Sequence, residues 1–215
     1  MGYKSIEDKV RQGRVKLESG LTERSIVVPI NAAIPVAQRV LTDQQVRDLL
    51  RATDLVAVTE CDCRTVEGRC DAPKDVCIVL GETARGFAGN SRYRTLTVEE
   101  AMRVLDRTAE LGLVHLSIWS RGHTPEAICS CCPCCCSELR AMSEFGYPDH
   151  VIRSDFVAGL DHEACAGCGT CVDRCAFGAI AMVDGAAELA RDRCFGCGAC
   201  MTTCPSGALT LSRRP

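Results

Sequence analysis

Apolar positions along the chain follow helical spacing in two upstream segments, and a short pattern is repeated near the C-terminal end. Thr42-Asp43-Gln44-Gln45 has the signature of a capped helix start, and Val46, Leu49 and Leu50 follow at the spacing of one helix face. Thr97-Val98-Glu99-Glu100 does the same for Ala101, Met102, Val104, Leu105 and Ala109, with Gly112 placed to stop the helix. Both helices are expected to pack into the core. The runs Leu55–Val58, Val76–Leu80 and Leu113–Ile118 predict strands or buried connections, which runs this short do not separate. Beyond Pro133, residues Leu139, Met142 and Phe145 predict a third helix ending near Gly146. That puts Cys134, Cys135 and Cys136 on its first turn, where free N–H groups and the helix dipole favour thiolates.

The downstream pattern is an internal duplication. Cys165-x2-Cys168-x2-Cys171-x3-Cys175 recurs 29 residues later as Cys194-x2-Cys197-x2-Cys200-x3-Cys204. Gly167 and Gly169 answer Gly196 and Gly198, and Gly178–Met182 answers Gly207–Leu211. Residues from about 155 to 213 therefore form one pseudo-symmetric unit.

Composition changes the picture in one respect. Of 215 residues 25% are charged, as in an ordinary soluble protein, but the 47% hydrophobic share includes 18 cysteines and only 4% aromatics. The core is modest, and bound metal is expected to supply part of the folding energy. A net charge of -3 carries no nucleic-acid footprint, and no apolar run is long enough for membrane insertion. The first residues lack the apolar stretch of a secretory signal, so a cytoplasmic location is expected. In a reducing compartment, regularly spaced cysteines point to metal or iron–sulfur ligation before disulfides. No G-x-G-x-x-G follows a strand and no P-loop is present, so neither bound flavin nor nicotinamide is expected. Electrons would then come from a partner redox protein, unidentified from sequence.

Three cysteines at two-residue intervals let one tight loop supply three corners of a cubane cluster, with the fourth supplied from elsewhere. On these motifs, over about 55 residues, the chain resembles the bacterial-type dicluster 2[4Fe-4S] ferredoxins. The resemblance implies that Cys165, Cys168, Cys171 and Cys204 hold one [4Fe-4S] cluster and that Cys194, Cys197, Cys200 and Cys175 hold the second. It also implies a fold of two hairpin-like halves and one-electron transfer at low potential. Ala176 departs from the proline that the family usually has after the fourth cysteine, which Pro205 keeps in the second copy. The competing reading, two zinc sites, prefers pairs of C-x2-C knuckles.

Ten cysteines remain: Cys61, Cys63, Cys70 and Cys77, then Cys129, Cys131, Cys132, Cys134, Cys135 and Cys136. The segments Val58–Arg64 and Ile128–Cys132 resemble a widespread group of 4Fe-4S-binding proteins in which a CxCR-containing domain precedes a dicluster ferredoxin module. The ten are expected to supply at least one additional Fe–S cluster, with structural zinc as the alternative. The six-cysteine stretch could complete a third cluster with the Cys61 group, hold a fourth, or serve as a redox-active thiol site. A non-cubane cluster like those of the CCG domains in heterodisulfide reductases is a further candidate, although the CCG spacing is not reproduced and Pro133 replaces the glycine. Adjacent cysteines on one helix turn point in different directions, so not all six can face one metal. His115 and His123 lie close by, but a single histidine is more often a satisfied core or surface residue than a ligand. Trp119 is expected to pack.

The expected fold class is α+β. An N-terminal extension (1–25) leads into an α/β cysteine-rich metal-binding domain (26–150), followed by the dicluster ferredoxin domain (151–215). The glycine-rich, basic stretch from Arg85 to Arg94 reads as a solvated loop or as a docking patch for an acidic redox partner. The expected function is an electron-transfer protein relaying electrons between a partner oxidoreductase and an N-terminal Fe–S centre. The alternatives are an Fe–S reductase with its active site at Cys129–Cys136, and a ferredoxin fused to a zinc-stabilised interaction domain.

Overall fold

Six strands build one sheet in the computed structural model, which describes residues 37–119, 125–148 and 150–215. The expected N-terminal extension and His123 lie outside the described residues. The strands are β1 (Ala37–Leu41), β2 (Val56–Glu60), β3 (Asp75–Leu80), β4 (Tyr93–Leu96), β5 (Val114–Trp119) and β6 (Pro125–Cys131). Their order is β1-β5-β6-β3-β2-β4, and every pairing is antiparallel. The mixture of helix and strand agrees with the sequence, but the sheet is not the parallel one that an α/β domain usually carries.

The helices are α1 (Asp43–Ala52), α2 (Asp62–Glu67), α3 (Gly81–Gly86), α4 (Val98–Glu110) and α5 (Ser137–Ser143). Helices α1 and α4 start at Thr42 and Thr97 with complete capping boxes; the Gln45 N–H donates to Thr42 Oγ1 at 3.2 Å and the Glu100 N–H to Thr97 Oγ1 at 3.2 Å. They bury Val46, Leu50, Ala101 and Leu105 against Leu41, Val58, Ile78 and Ile128 of the sheet. Full burial of one such side chain stabilises by about 1.5–3 kcal/mol.

Strand alternation then decides where the cysteines go. Ile78 and Ile128 face the helices, so Cys77, Cys129 and Cys131 lie on the opposite face of the sheet. Two expectations need correction. Cys134 and Cys135 precede a helix in a turn rather than sitting on its first turn, because α5 starts at Ser137 with Cys136 as its N-cap. The helix also ends at Ser143, three residues short of Gly146, where φ is +73°. The stretch from Arg85 to Arg94 is not one open loop: it contains the end of α3, a turn and the start of β4, with Phe87 and Tyr93 stacked at 4.1 Å.

Residues 156–213 form two small two-stranded sheets, β7 (Phe156–Leu160) with β10 (Leu209–Arg213) and β8 (Ile180–Val183) with β9 (Ala186–Leu189). A short helix α6 (Thr170–Arg174) completes them. The sequence repeat is matched in packing, with Ala179 and Ile180 of one copy buried like Ala208 and Leu209 of the other. Residues 150–155 connect this unit to the large sheet. The Val40 N–H donates to the Ile152 carbonyl at 2.9 Å, the Ile152 N–H to Gln38 at 2.8 Å, and Arg39 pairs with Asp155. Among the described residues, no helix is long and apolar enough to cross a membrane.

Candidate metal centres

In the C-terminal unit, the loops after β7 and β9 wrap through glycines with positive φ, +66° at Gly167, +75° at Gly169, +70° at Gly196 and +79° at Gly198. These loops have no room for side chains at two of the positions. A Cβ at Gly196 would lie 2.0 Å from the Phe156 carbonyl oxygen, and one at Gly167 would lie 2.3 Å from that of Gly185. The wrap brings Cys168 and Cys171 into electrostatic contact with Cys204 of the other copy, and Cys171 also with Cys165. It likewise brings Cys197 and Cys200 to both Cys175 and Cys194. Backbone N–H groups reach the sulfurs, from Ala179 to Cys175 at 3.2 Å and from Ala158 to Cys194 at 3.4 Å. Burial pushes the Cys197 and Cys200 thiols up to about 12. Only a bound cation would make thiolates of such groups at neutral pH, which is the chemistry a four-cysteine cluster site needs. The donor set and the glycine wrap fit two [4Fe-4S] clusters.

Residues 164–209 match the family model of a 4Fe-4S dicluster domain. The match covers both cysteine runs of this unit and none of the ten upstream cysteines. Among curated proteins, none matches the chain.

Upstream of the dicluster domain, the ten cysteines divide into two groups. Cys70, Cys132, Cys134 and Cys135 have all four sulfurs within 4.8 Å of one another. Cys70 follows α2, whose C-cap Gly68 has φ of 61°, and the other three come from the turn between β6 and α5. The remaining six form a closed circuit of electrostatic neighbours: Cys61 acts on Cys63 and Cys77, Cys77 on Cys129, Cys129 on Cys131, Cys131 on Cys136, and Cys136 on Cys63. All six line a cavity of about 280 Å³. Contacts with Cys131 and Cys77 draw the Cys129 thiol down to about 6, while Cys61, Cys77 and Cys131 are pushed up by their neighbours and by burial. Burial and the neighbouring thiols thus oppose several thiolates in the ring unless a cation is bound.

Between the two groups lies Arg64, only 1% exposed. Its Nε donates to Cys132 Sγ at 3.4 Å, and its terminal nitrogens donate to the Pro73 carbonyl at 2.7 Å and to the Ser130 carbonyl. Burial works against its charge, but the Cys132 hydrogen bond and the neighbouring sulfurs raise its pKa on balance. This guanidinium offsets thiolate charge on both sides. Its signal in the sequence was the arginine of Cys61-Asp62-Cys63-Arg64, to which spacing alone gave no role. A second fully buried arginine, Arg140, pairs with Glu67 at 2.7 Å and with Glu144 at 2.7 Å, tying α5 to α2.

His115 is not among the metal donors. It faces the helix side of the sheet, 3% exposed, with Nδ1 3.3 Å from Ser130 Oγ and Nε2 4.0 Å from Asp43. Trp119 donates to Ser117 Oγ within β5. The arginines of the basic stretch are engaged with the chain's own carboxylates, Arg85 with Asp54 and Glu82, and Arg92 with Asp62.

Proposed function

We propose that the chain is a multi-centre iron–sulfur electron-transfer protein. Cys165, Cys168, Cys171 and Cys204 hold one cluster of the dicluster domain, and Cys194, Cys197, Cys200 and Cys175 hold the other. The six-thiol ring holds a further iron–sulfur centre. When bound, these clusters supply one-electron chemistry at potentials set by their surroundings.

The observation that supports the relay reading is a shared buried core. Cys131 and Cys136 of the ring pack in one apolar cluster with Leu139, Val151 and Phe195, and Cys197 of the dicluster domain packs against that same cluster. Phe195 stacks on Phe177 at 4.3 Å between ring centroids, and the Arg153 guanidinium lies 4.4 Å from the Phe195 centroid. These side chains exclude water between the two cysteine sets and hold them in fixed relation. Low dielectric and N–H donors to sulfur are the means by which a protein tunes cluster potential. The relay connects an unidentified redox partner to the ring centre.

The test is anaerobic purification followed by iron and sulfide analysis of the full chain and of Cys129→Ser. About twelve irons for the parent, falling to about eight in the variant, supports a third cluster in the ring. About eight irons in both refutes it.

A second reading is favoured by the count of six, because one cubane uses four thiolates and leaves two. Two ring thiols can reduce a disulfide substrate. One thiolate attacks a substrate sulfur, forming a mixed disulfide and expelling one thiolate; the second ring thiol then displaces the other, leaving a disulfide within the ring. Trapping of Cys129 by a thiol reagent in cluster-loaded protein separates this reading from pure relay.

A further inference from the structure

We infer that Cys70, Cys132, Cys134 and Cys135 form a mononuclear tetrahedral site for one zinc ion, separate from every iron–sulfur centre of the chain. A zinc ion with four thiolates at about 2.3 Å sets the sulfurs about 3.8 Å apart along each tetrahedral edge. The Cys70 sulfur lies 3.7 Å from that of Cys132 and 3.8 Å from that of Cys135, and Cys134 and Cys135 are 3.8 Å apart. A cubane places each thiolate on its own iron, which spreads the four sulfurs over a larger tetrahedron.

The dicluster domain provides a ruler within the same chain. Among the described residues, the Cys70 set is the one group of His, Cys, Asp and Glu donors whose ligand atoms all fall within 4.8 Å of one another. Neither ferredoxin quartet closes that tightly, and neither does the six-thiol ring. The chemistry of the donor set agrees: four sulfurs in a closed site suit zinc in a structural role, with no position left open for substrate. Cys132 and Cys135 are buried, and Leu113 packs against them. Arg64 donates to Cys132 Sγ from outside the quartet, the kind of outer hydrogen bond that offsets the double negative charge of a zinc tetrathiolate.

The site ties the segment after α2 to the turn between β6 and α5. That turn also carries Cys136, and Cys131 immediately precedes the ligand Cys132, so the zinc would fix two members of the six-thiol ring. Its role is to hold the ring open at a fixed size. The inference does not depend on whether the ring holds iron.

The test uses the full chain, purified anaerobically with its metals. X-ray absorption at the zinc edge is expected to give one zinc per chain with four sulfurs at about 2.3 Å and no second metal shell. Cys134→Ser is expected to lose most of its zinc while iron stays at the parent value. A zinc edge with nitrogen or oxygen neighbours, a single iron in place of zinc, or loss of about four irons in Cys134→Ser would each overturn the assignment. The spectrum of the parent decides the case even if the variant fails to fold.

Discussion

The dicluster domain and the upstream sheet each bring cysteines together, but by different means. In the dicluster domain three cysteines of each proposed quartet come from one tight loop, with the fourth 33 residues downstream at Cys204 or 19 residues upstream at Cys175. The grouping of cysteines is written in local spacing there. In the upstream region Cys77 comes from β3, Cys129 and Cys131 from β6, and Cys61 and Cys63 from the junction of β2 and α2. These meet only because the antiparallel register sets Ile78 opposite Ile128, which puts their neighbours on one face. Spacing describes a metal site when one loop builds it; when a sheet builds it, register does.

Breaking one side of this comparison should leave the other standing. The largest effect is expected from Gly196→Ala, whose Cβ would meet the Phe156 carbonyl at 2.0 Å at a backbone φ of +70°. It should cost on the order of 3 kcal/mol and about four irons, with zinc unchanged. Iron and zinc analysis alongside chemical denaturation would measure both; loss of zinc together with iron would mean that the two regions fold as one.

Arg64→Leu attacks the upstream side. It leaves the Pro73 and Ser130 carbonyls without their buried donor and removes a cation from beside the sulfurs, a change that costs about 3 kcal/mol. The unfolding midpoint should drop, with zinc lost before the iron of the dicluster domain. If zinc affinity is untouched, Arg64 is packing alone.

A smaller, pH-dependent effect is expected at His115, which burial holds at about 4, well below its ordinary 6.5. The unfolded chain takes up this proton between pH 6.5 and 4 while the folded chain does not. Stability should therefore fall as pH drops through that window, by at most about 3 kcal/mol at its lower end. Acid also releases thiolate-bound metal, so the difference between parent and His115→Gln isolates the histidine. A difference that stays constant from pH 6.5 to 4 would contradict the burial argument.

The smallest effect concerns the junction between the regions. Arg174 Nη2 donates to the Glu110 carbonyl at 2.8 Å, and a Cβ on Gly112 would lie 2.2 Å from Arg174 Nη1. Arg174→Ala should loosen this contact by about 1 kcal/mol or less. Amide exchange near Gly112 would reveal it, with all metals retained.

How far the sequence could be read follows from the same distinction. The capping boxes at Thr42 and Thr97 and the dicluster module were legible, because each depends on residues a few positions apart or on a duplicated spacing. Strand β6, Pro-Glu-Ala-Ile-Cys-Ser-Cys, has neither a clean apolar run nor a helical face, so it gave no signal. Without β6 and its register, nothing could divide Cys129, Cys131 and Cys136 from Cys132, Cys134 and Cys135. The buried arginines were equally hidden. Arg64 and Arg140 look like surface charges until α2, β6 and α5 are packed around them.

Metal stoichiometry of the anaerobically purified full chain tests the account most directly. Three iron–sulfur centres and one tetrathiolate zinc predict about twelve irons, about twelve sulfides and one zinc per chain. About eight irons and no zinc, with ten upstream thiols free to react, would contradict it.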